Sequence, residues 1–280
     1  MKLCYQVATP DVKIAESVTA YQGSLEKTFG DIAKLGYDGV ELMTLNPGKL
    51  DWDEVKKTAE RHNLIVGLVC TGEIFGQLNL CFTDPDKSIR EEAISRVKEI
   101  IDFASFLDAN INIGRVRGYY RPDVDKEQTD AWAVAAFKEI SEHAKPLGVT
   151  IALETVTIMQ TNFINTMEEG LKFVELVDHE NFKLMIDVFH LNIEEKDLYQ
   201  TITQYIPHTI HVHLADNNRR YPGNCGMDFK KIIQLFHDNG FDGTYCTEIF
   251  QNPTMEIAAA ESIKHLGPIF KEVYGRTIKA

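Results

Sequence analysis

The chain has 280 residues, of which 44% are apolar and 25% charged, and its formal net charge is −13. That acidic balance excludes a protein that lives on nucleic-acid phosphates, which needs clustered Lys and Arg, and no run approaches the ~18 apolar residues that would span a bilayer. The five cysteines, Cys4, Cys70, Cys81, Cys225 and Cys246, are odd in number and form no CxxC pair, which reads as reduced thiols in a cytoplasmic protein whose N-terminus shows no signal-peptide stretch.

From the N-terminus, short β-rich apolar runs alternate with longer amphipathic segments. Strands are expected at Lys2–Ala8, Gly39–Thr44, Leu64–Thr71, Asn110–Val116, Thr150–Val156, Phe182–His190, Thr209–Asp216 and Gly243–Phe250. Helices are expected between them at Ser24–Leu35, Trp52–His62, Ile89–Leu107, Gln128–Lys145, Met167–Val177, Leu198–Tyr205 and Phe229–Asn239. A last helix covers Met255–Tyr274, with Pro268 as the point where it would break. Strands each followed by a helix are the pattern of parallel βαβ units, and at this length they predict one α/β domain, a (β/α)8 TIM barrel over residues 1–280. An open doubly wound sheet would carry a GxGxxG or GxxxxGK[ST] loop after an early strand, and neither motif is present. The turns Leu35-Gly36-Tyr37-Asp38-Gly39 and Asn239-Gly240-Phe241-Asp242-Gly243 echo one another, each placing Gly where a helix ends in the left-handed region.

Barrel chemistry sits at the C-terminal ends of the strands. The last inward positions of the fifth to eighth strands hold Glu154, Asp187, His213 and Glu248, each in an otherwise apolar run. A buried ionised carboxylate is costly unless it is paired or bound to a metal, and four such side chains at one end of four consecutive strands predict a metal site. Three carboxylates and one imidazole suit one divalent ion, Mn²⁺ first with Mg²⁺ or Co²⁺ as alternatives, better than structural zinc. Period-two alternation puts His211 one layer below His213, as support rather than ligand, and Cys246 below Glu248 as packing.

With His190 three residues after Asp187 and Arg219 six after His213, this ligand set resembles that of the ketose 3-epimerases, such as the D-tagatose and D-psicose enzymes, of the xylose isomerase-like TIM-barrel superfamily. The stretches His211–Phe229 and Gly36–Leu42 are similar to that family's seventh-strand and second-strand motifs. The resemblance implies a sugar isomerase or epimerase that abstracts a proton next to a carbonyl through a metal-stabilised enediolate. It places the acid/base pair on Glu154 and Glu248, the metal ligands on Glu154, Asp187, His213 and Glu248, and substrate contacts on His190 and Arg219. It also implies a homo-oligomer. Two departures stand out. Gln160 occupies the place of a second acidic side chain, and Gly114-Arg115-Val116-Arg117-Gly118-Tyr119-Tyr120 replaces an apolar and aromatic wall.

Tyr5–Val12, Ala20-Tyr21-Gln22-Gly23 and Asn112–Gly118 also resemble the catalytic α subunits of C-glycoside deglycosidases. That likeness implies a lyase on 3-oxo-glycosides working with a small β subunit. Apurinic endonucleases of the same superfamily need further ligands and a basic surface, which the charge of −13 opposes. Beyond the ligands, Arg115 and Arg117 are expected to point the same way at the mouth of the fourth strand, with Arg117 a candidate substrate contact. Glu73, expected in the loop after the third strand, is another. Phe75, Tyr119, Tyr120 and Tyr221 are candidates for an aromatic rim.

Overall fold

The computed structural model describes residues 1–13, 15–16 and 18–275. Burial along the strands explains how the chain closes. In β1 (Lys2–Ala8), Leu3, Tyr5 and Val7 join the main apolar core between strands and helices, while Cys4 and Gln6 point into the barrel. The same alternation runs through β2 (Gly39–Met43), β3 (Ile65–Cys70), β4 (Asn110–Ile113), β5 (Ile151–Glu154), β6 (Phe182–Asp187), β7 (Thr209–His213) and β8 (Thr244–Thr247). A parallel strand buried on both faces is the element a crossover helix can cover. All eight strands pair in parallel in sequence order, and β8 closes on β1 through pairs such as Cys4 with Cys246. Leu68, Ala152 and Met185 pack a small interior layer. The polar inward side chains gather above it, at the C-terminal ends of the strands.

The outer ring contains α1 (Leu25–Lys34), α2 (Trp52–Arg61), α3 (Gly72–Leu78), α4 (Lys87–Phe106), α5 (Lys126–Ala144), α6 (Met167–Val177), α7 (Val188–Glu194), α8 (Leu198–Tyr205), α9 (Phe229–Asp238) and α10 (Met255–Tyr274). Their starts are set by side-chain caps on the first free N–H groups. Ser24, Asp51, Asp86, Asp197, Asp228 and Thr254 each accept such a bond, and Thr166 with Glu169 forms a reciprocal capping box. The two echoed turns behave alike, with Gly36 at φ 93° and Gly240 at φ 73°, values a side chain rarely tolerates. Among the described residues the cysteines form no disulfide, and only Cys225 is exposed. No described helix is long and apolar enough to cross a membrane.

The differences from the sequence-based expectations lie at the C-terminal ends of the strands and in the last helix. The expected sixth strand ran to His190, but Asp187 ends it by accepting a bond from the Phe189 N–H at 2.9 Å and so starts α7. An unbroken apolar run does not by itself distinguish strand from helix. The fourth strand stops at Ile113 and tightens into a 3₁₀ turn over Arg115–Arg117. The segment after β3 is not a loop but α3, whose two glycines masked it in the sequence. Helix α10 continues through Pro268, because Ile263, Leu266 and Phe270 remain packed on the barrel on both sides of it.

Candidate metal centre and active site

Glu154, Asp187 and His213 are the last residues of β5, β6 and β7, and Glu248 follows β8 directly. Each offers one ligand atom, and the four atoms lie within 4.8 Å of one another. His213 organises the group. Its Nε2 lies 3.0 Å from Glu41 Oε2, so as a neutral ring it donates there and turns the lone pair of Nδ1 inward. That Nδ1 faces Glu248 Oε2 at 3.0 Å, Glu154 Oε1 at 3.4 Å and Asp187 Oδ2 at 3.5 Å. Among the described residues neither His213 Nδ1 nor Glu154 Oε1 has a hydrogen-bond partner. Two buried acceptors aimed at each other repel unless something positive lies between them.

The donor set therefore fits a cation, three oxygens and one nitrogen around a common point. Glu41, His211 and His213 also converge, but there one carboxylate oxygen accepts from both imidazoles, at 2.9 and 3.0 Å, and the three satisfy one another.

Without an ion, the surrounding carboxylates draw a proton to the same point instead. Burial works against a charged His213, yet Glu41 and Glu248 outweigh it and raise the imidazole well above its usual range. Burial would also raise Glu248, but Arg219 and His213 hold it down to about 2. Asp187 is lowered as well, its burial overcome by Arg219 and His190. Of the three carboxylates Glu154 alone is raised, by burial and by the nearby Glu248 and Asp187, despite His213. Taking protein groups alone, the two glutamates thus differ in proton affinity, and both face the same cavity.

That cavity, of about 410 Å³, is lined by Glu154, Glu248, His190, Arg219, Glu73 and Arg115, with Phe189, Phe250 and Met159 among its apolar walls. His190 lies on α7, with its Nδ1 3.4 Å from the Thr157 N–H and its Nε2 3.7 Å from Asp187 Oδ2. Burial lowers it to about 4, against the pull of Asp187. It is a neutral ring at neutral pH, and accepting at Nδ1 leaves its Nε2 as the donor. Arg219 bridges Asp187 Oδ2, at 2.5 Å, and Glu248 Oε2, and lies over the Phe189 ring. Its loop is held by Asp216, whose carboxylate accepts from the N–H groups of Gly223, Cys225, Gly226 and Met227.

Residues 29–269 match the family model described as xylose isomerase-like TIM barrel. The chain belongs to the xylose isomerase-like TIM-barrel family. It is 30% identical over 227 residues to the D-psicose 3-epimerase of Ruminiclostridium cellulolyticum, covering 78% of this chain and 76% of that one. Its fold is similar to that of an L-ribulose 3-epimerase, with a TM-score of 0.81 at 20% identity over 97% of this chain and 95% of the other. It is also similar to a 3-keto-D-glucoside 4-epimerase from E. coli, with a TM-score of 0.77 at 20% identity over 94% and 98% of the two chains.

Within this family frame one expected contact moves. Arg117 does not line the cavity. It is fully buried, and its guanidinium donates to the carbonyls of Phe163, Gly114, Glu154 and Ile164 at 2.8–3.0 Å. The 3₁₀ turn breaks the alternation that would have aimed Arg115 and Arg117 together, and Arg115 alone reaches the cavity. Glu73 lines the cavity too, from α3 rather than from a loop. The aromatic wall is Phe189 and Phe250, whereas Phe75 pairs with Tyr119 and Tyr120 packs on Phe163.

Sequence reasoning overlooked the residues that brace the cluster. Glu41 holds His213, and Gln6 Nε2 donates to Glu41 at 2.7 Å and to Glu248 at 3.1 Å. Asn112 Nδ2 reaches Glu154 Oε2 at 3.2 Å. A polar side chain at an inward position of an apolar strand was the available signal, and Glu41 carried it inside the GYDGVEL stretch.

Proposed function

We propose that this chain is a sugar epimerase dependent on one divalent metal, with Mn²⁺ as the first candidate. It acts on a keto-sugar by removing and returning a proton at the carbon next to the carbonyl. The observation that carries the reading is the pair of buried acceptors, His213 Nδ1 and Glu154 Oε1, left without partners among the described residues and surrounded by two further carboxylates. The ketose 3-epimerases among the relatives support the substrate class.

Glu154, Asp187, His213 and Glu248 would hold the ion. When bound, it supplies polarisation of the substrate carbonyl and offsets negative charge growing on that oxygen. Glu154 and Glu248 stand on strands three apart around the barrel, so they approach the substrate from different sides. One takes the proton from a face of the carbon and the other returns one to the opposite face, which inverts that centre. If one carboxylate carries the proton between neighbouring carbons, the same site isomerises instead. His190 donates through Nε2 to a substrate oxygen. Arg219, already bridging two ligand carboxylates, fixes them and offers its remaining N–H groups to a hydroxyl. Phe189 and Phe250 keep water off the reacting carbons. We expect the enzyme to work as a homo-oligomer without a second kind of subunit.

The test is deuterium uptake followed by mass spectrometry, with Mn²⁺-loaded protein in D2O and a panel of free ketoses, ketose phosphates and 3-oxo-glycosides. Exchange next to the carbonyl, abolished by chelation and by Glu154→Gln, is the expected result. Exchange that survives chelation would sink the metal dependence. Release of aglycone from a 3-oxo-glycoside, with no exchange on any ketose, would replace this reading by a C-glycoside deglycosidase α subunit and call for a small β partner.

A further inference from the structure

The main cavity does not end beside the ligand cluster. Arg115, Glu73 and Val18 form part of its wall, and the same three residues also wall a second cavity of about 440 Å³, lined further by Gly76, Gln77 and Lys13. Small-molecule sites run to roughly 300–1,000 Å³, so each cavity alone is large enough to receive one small ring.

Of the polar groups between the two cavities, Arg115 is the least committed. Arg115 reaches the Gly72 carbonyl at 3.4 Å and Glu73 Oε1 at 3.5 Å, both through Nη2 and both long. Among the described residues its remaining N–H groups make no hydrogen bond. On the other side, Gln77 Nε2 donates to Glu73 Oε2 at 2.7 Å. A guanidinium, a carboxylate and a carboxamide thus stand side by side on the shared wall.

Two missing side chains leave room along this wall. At Gly76, in the second cavity, a Cβ would come 2.9 Å from Arg115 Nη2 and 3.2 Å from Glu73 Oε1. At Gly114, in the main cavity, it would come 2.9 Å from Glu154 Oε2. The sequence likeness led to an apolar and aromatic wall at this point; a bare glycine and a cation stand here instead.

The charge pattern discriminates between extensions of the substrate. A phosphate at Arg115 would also meet the Glu73 carboxylate, a like charge that the neighbouring cation only partly offsets. A ring of hydroxyl groups suits the wall better, because each hydroxyl can accept from Arg115 and donate to Glu73, whose other oxygen Gln77 holds in place. The geometry points to a substrate larger than a free ketose: a keto-sugar carrying a second sugar unit, whose hydroxyls are held between Arg115, Glu73 and Gln77. This rests on the epimerase reading, since the ligand cluster takes the keto unit.

The experiment compares kcat/KM for deuterium exchange on fructose, fructose 6-phosphate and fructose glucosylated on O1 or on O6. It uses the Mn²⁺-loaded wild type, Arg115→Ala and Gln77→Ala. We expect at least one glucosylated ketose to exceed both the free and the phosphorylated sugar. Arg115→Ala should reduce that advantage by about tenfold or more, the worth of a hydrogen bond to a charged group, and Gln77→Ala by less. Free fructose as the best substrate, or equal losses on free and glucosylated sugars in both variants, would overturn the second subsite while leaving the epimerase intact. Preference for the phosphate would replace the sugar unit by an anion. Absence of exchange on every ketose would remove the epimerase reading, and this inference with it.

Discussion

Strands β5 to β8 and strands β1 to β4 meet at the same end of the barrel but bring different chemistry to it. The first group supplies Glu154, Asp187, His213 and Glu248, the atoms that face one point. The second supplies Gln6, Glu41 and Asn112, which touch those ligands from behind or below. Glu41 is as buried as Asp187 and just as acidic in character, held low by His213 and His211 in spite of its burial. Yet its oxygens are spoken for by two imidazoles and an amide, whereas Glu154 Oε1 has no such partner among the described residues. What separates Glu154 from Glu41 is therefore not residue type or burial but whether its lone pairs are already used.

Five substitutions press on that distinction. Glu154→Gln and Glu248→Gln should each lower turnover by about a thousandfold, the scale of a lost acid/base group, with circular dichroism unchanged. A variant keeping a tenth of wild-type exchange would move that residue from the reacting group to the braces. Arg117→Met should act on stability instead, because four carbonyls lose their donor. Denaturant unfolding is expected to show a loss of about 3 kcal/mol or more; a loss under about 1 kcal/mol would mean the carbonyls find other partners.

Glu41→Gln should weaken Mn²⁺ binding by about 10–100-fold, as the partners of metal-bound histidines generally do. The concentration of free Mn²⁺ measured by electron paramagnetic resonance reads this directly. Unchanged affinity in a folded variant would deny Glu41 its hold on His213. Asn112→Ala should have the smallest effect, a fall in kcat of about tenfold or less, since it loosens only one oxygen of Glu154. A drop equal to that of Glu154→Gln would place Asn112 against the substrate itself.

The family and the four side chains of the cluster were legible in the sequence because the signals were local. A charged side chain at the end of an apolar run is visible in a short window, and the run itself marks the strand. The helix starts expected at Trp52 and Met167 coincide with the observed ones, where Asp51 and Thr166 cap the first turns. The roles of Arg115 and Arg117 were not legible, because two arginines in alternation look identical until a 3₁₀ turn rotates one into the cavity and the other into the backbone of the next loop. His190 was legible as a residue of the cavity but not as a helical one, since β6 ends where Asp187 accepts a bond from the Phe189 N–H.

By itself, then, the sequence determined the alternation of elements, the closed parallel barrel and the four side chains that converge at its mouth, all of which follow from patterning within a few dozen residues. Only the tertiary structure decided which polar groups satisfy one another. Glu41 meets His211 and His213 across 170 and 172 residues of chain, and Gln6 meets Glu248 across 242. Such pairings depend on barrel closure and strand register, where a shift of one residue would turn each of these side chains out of the interior.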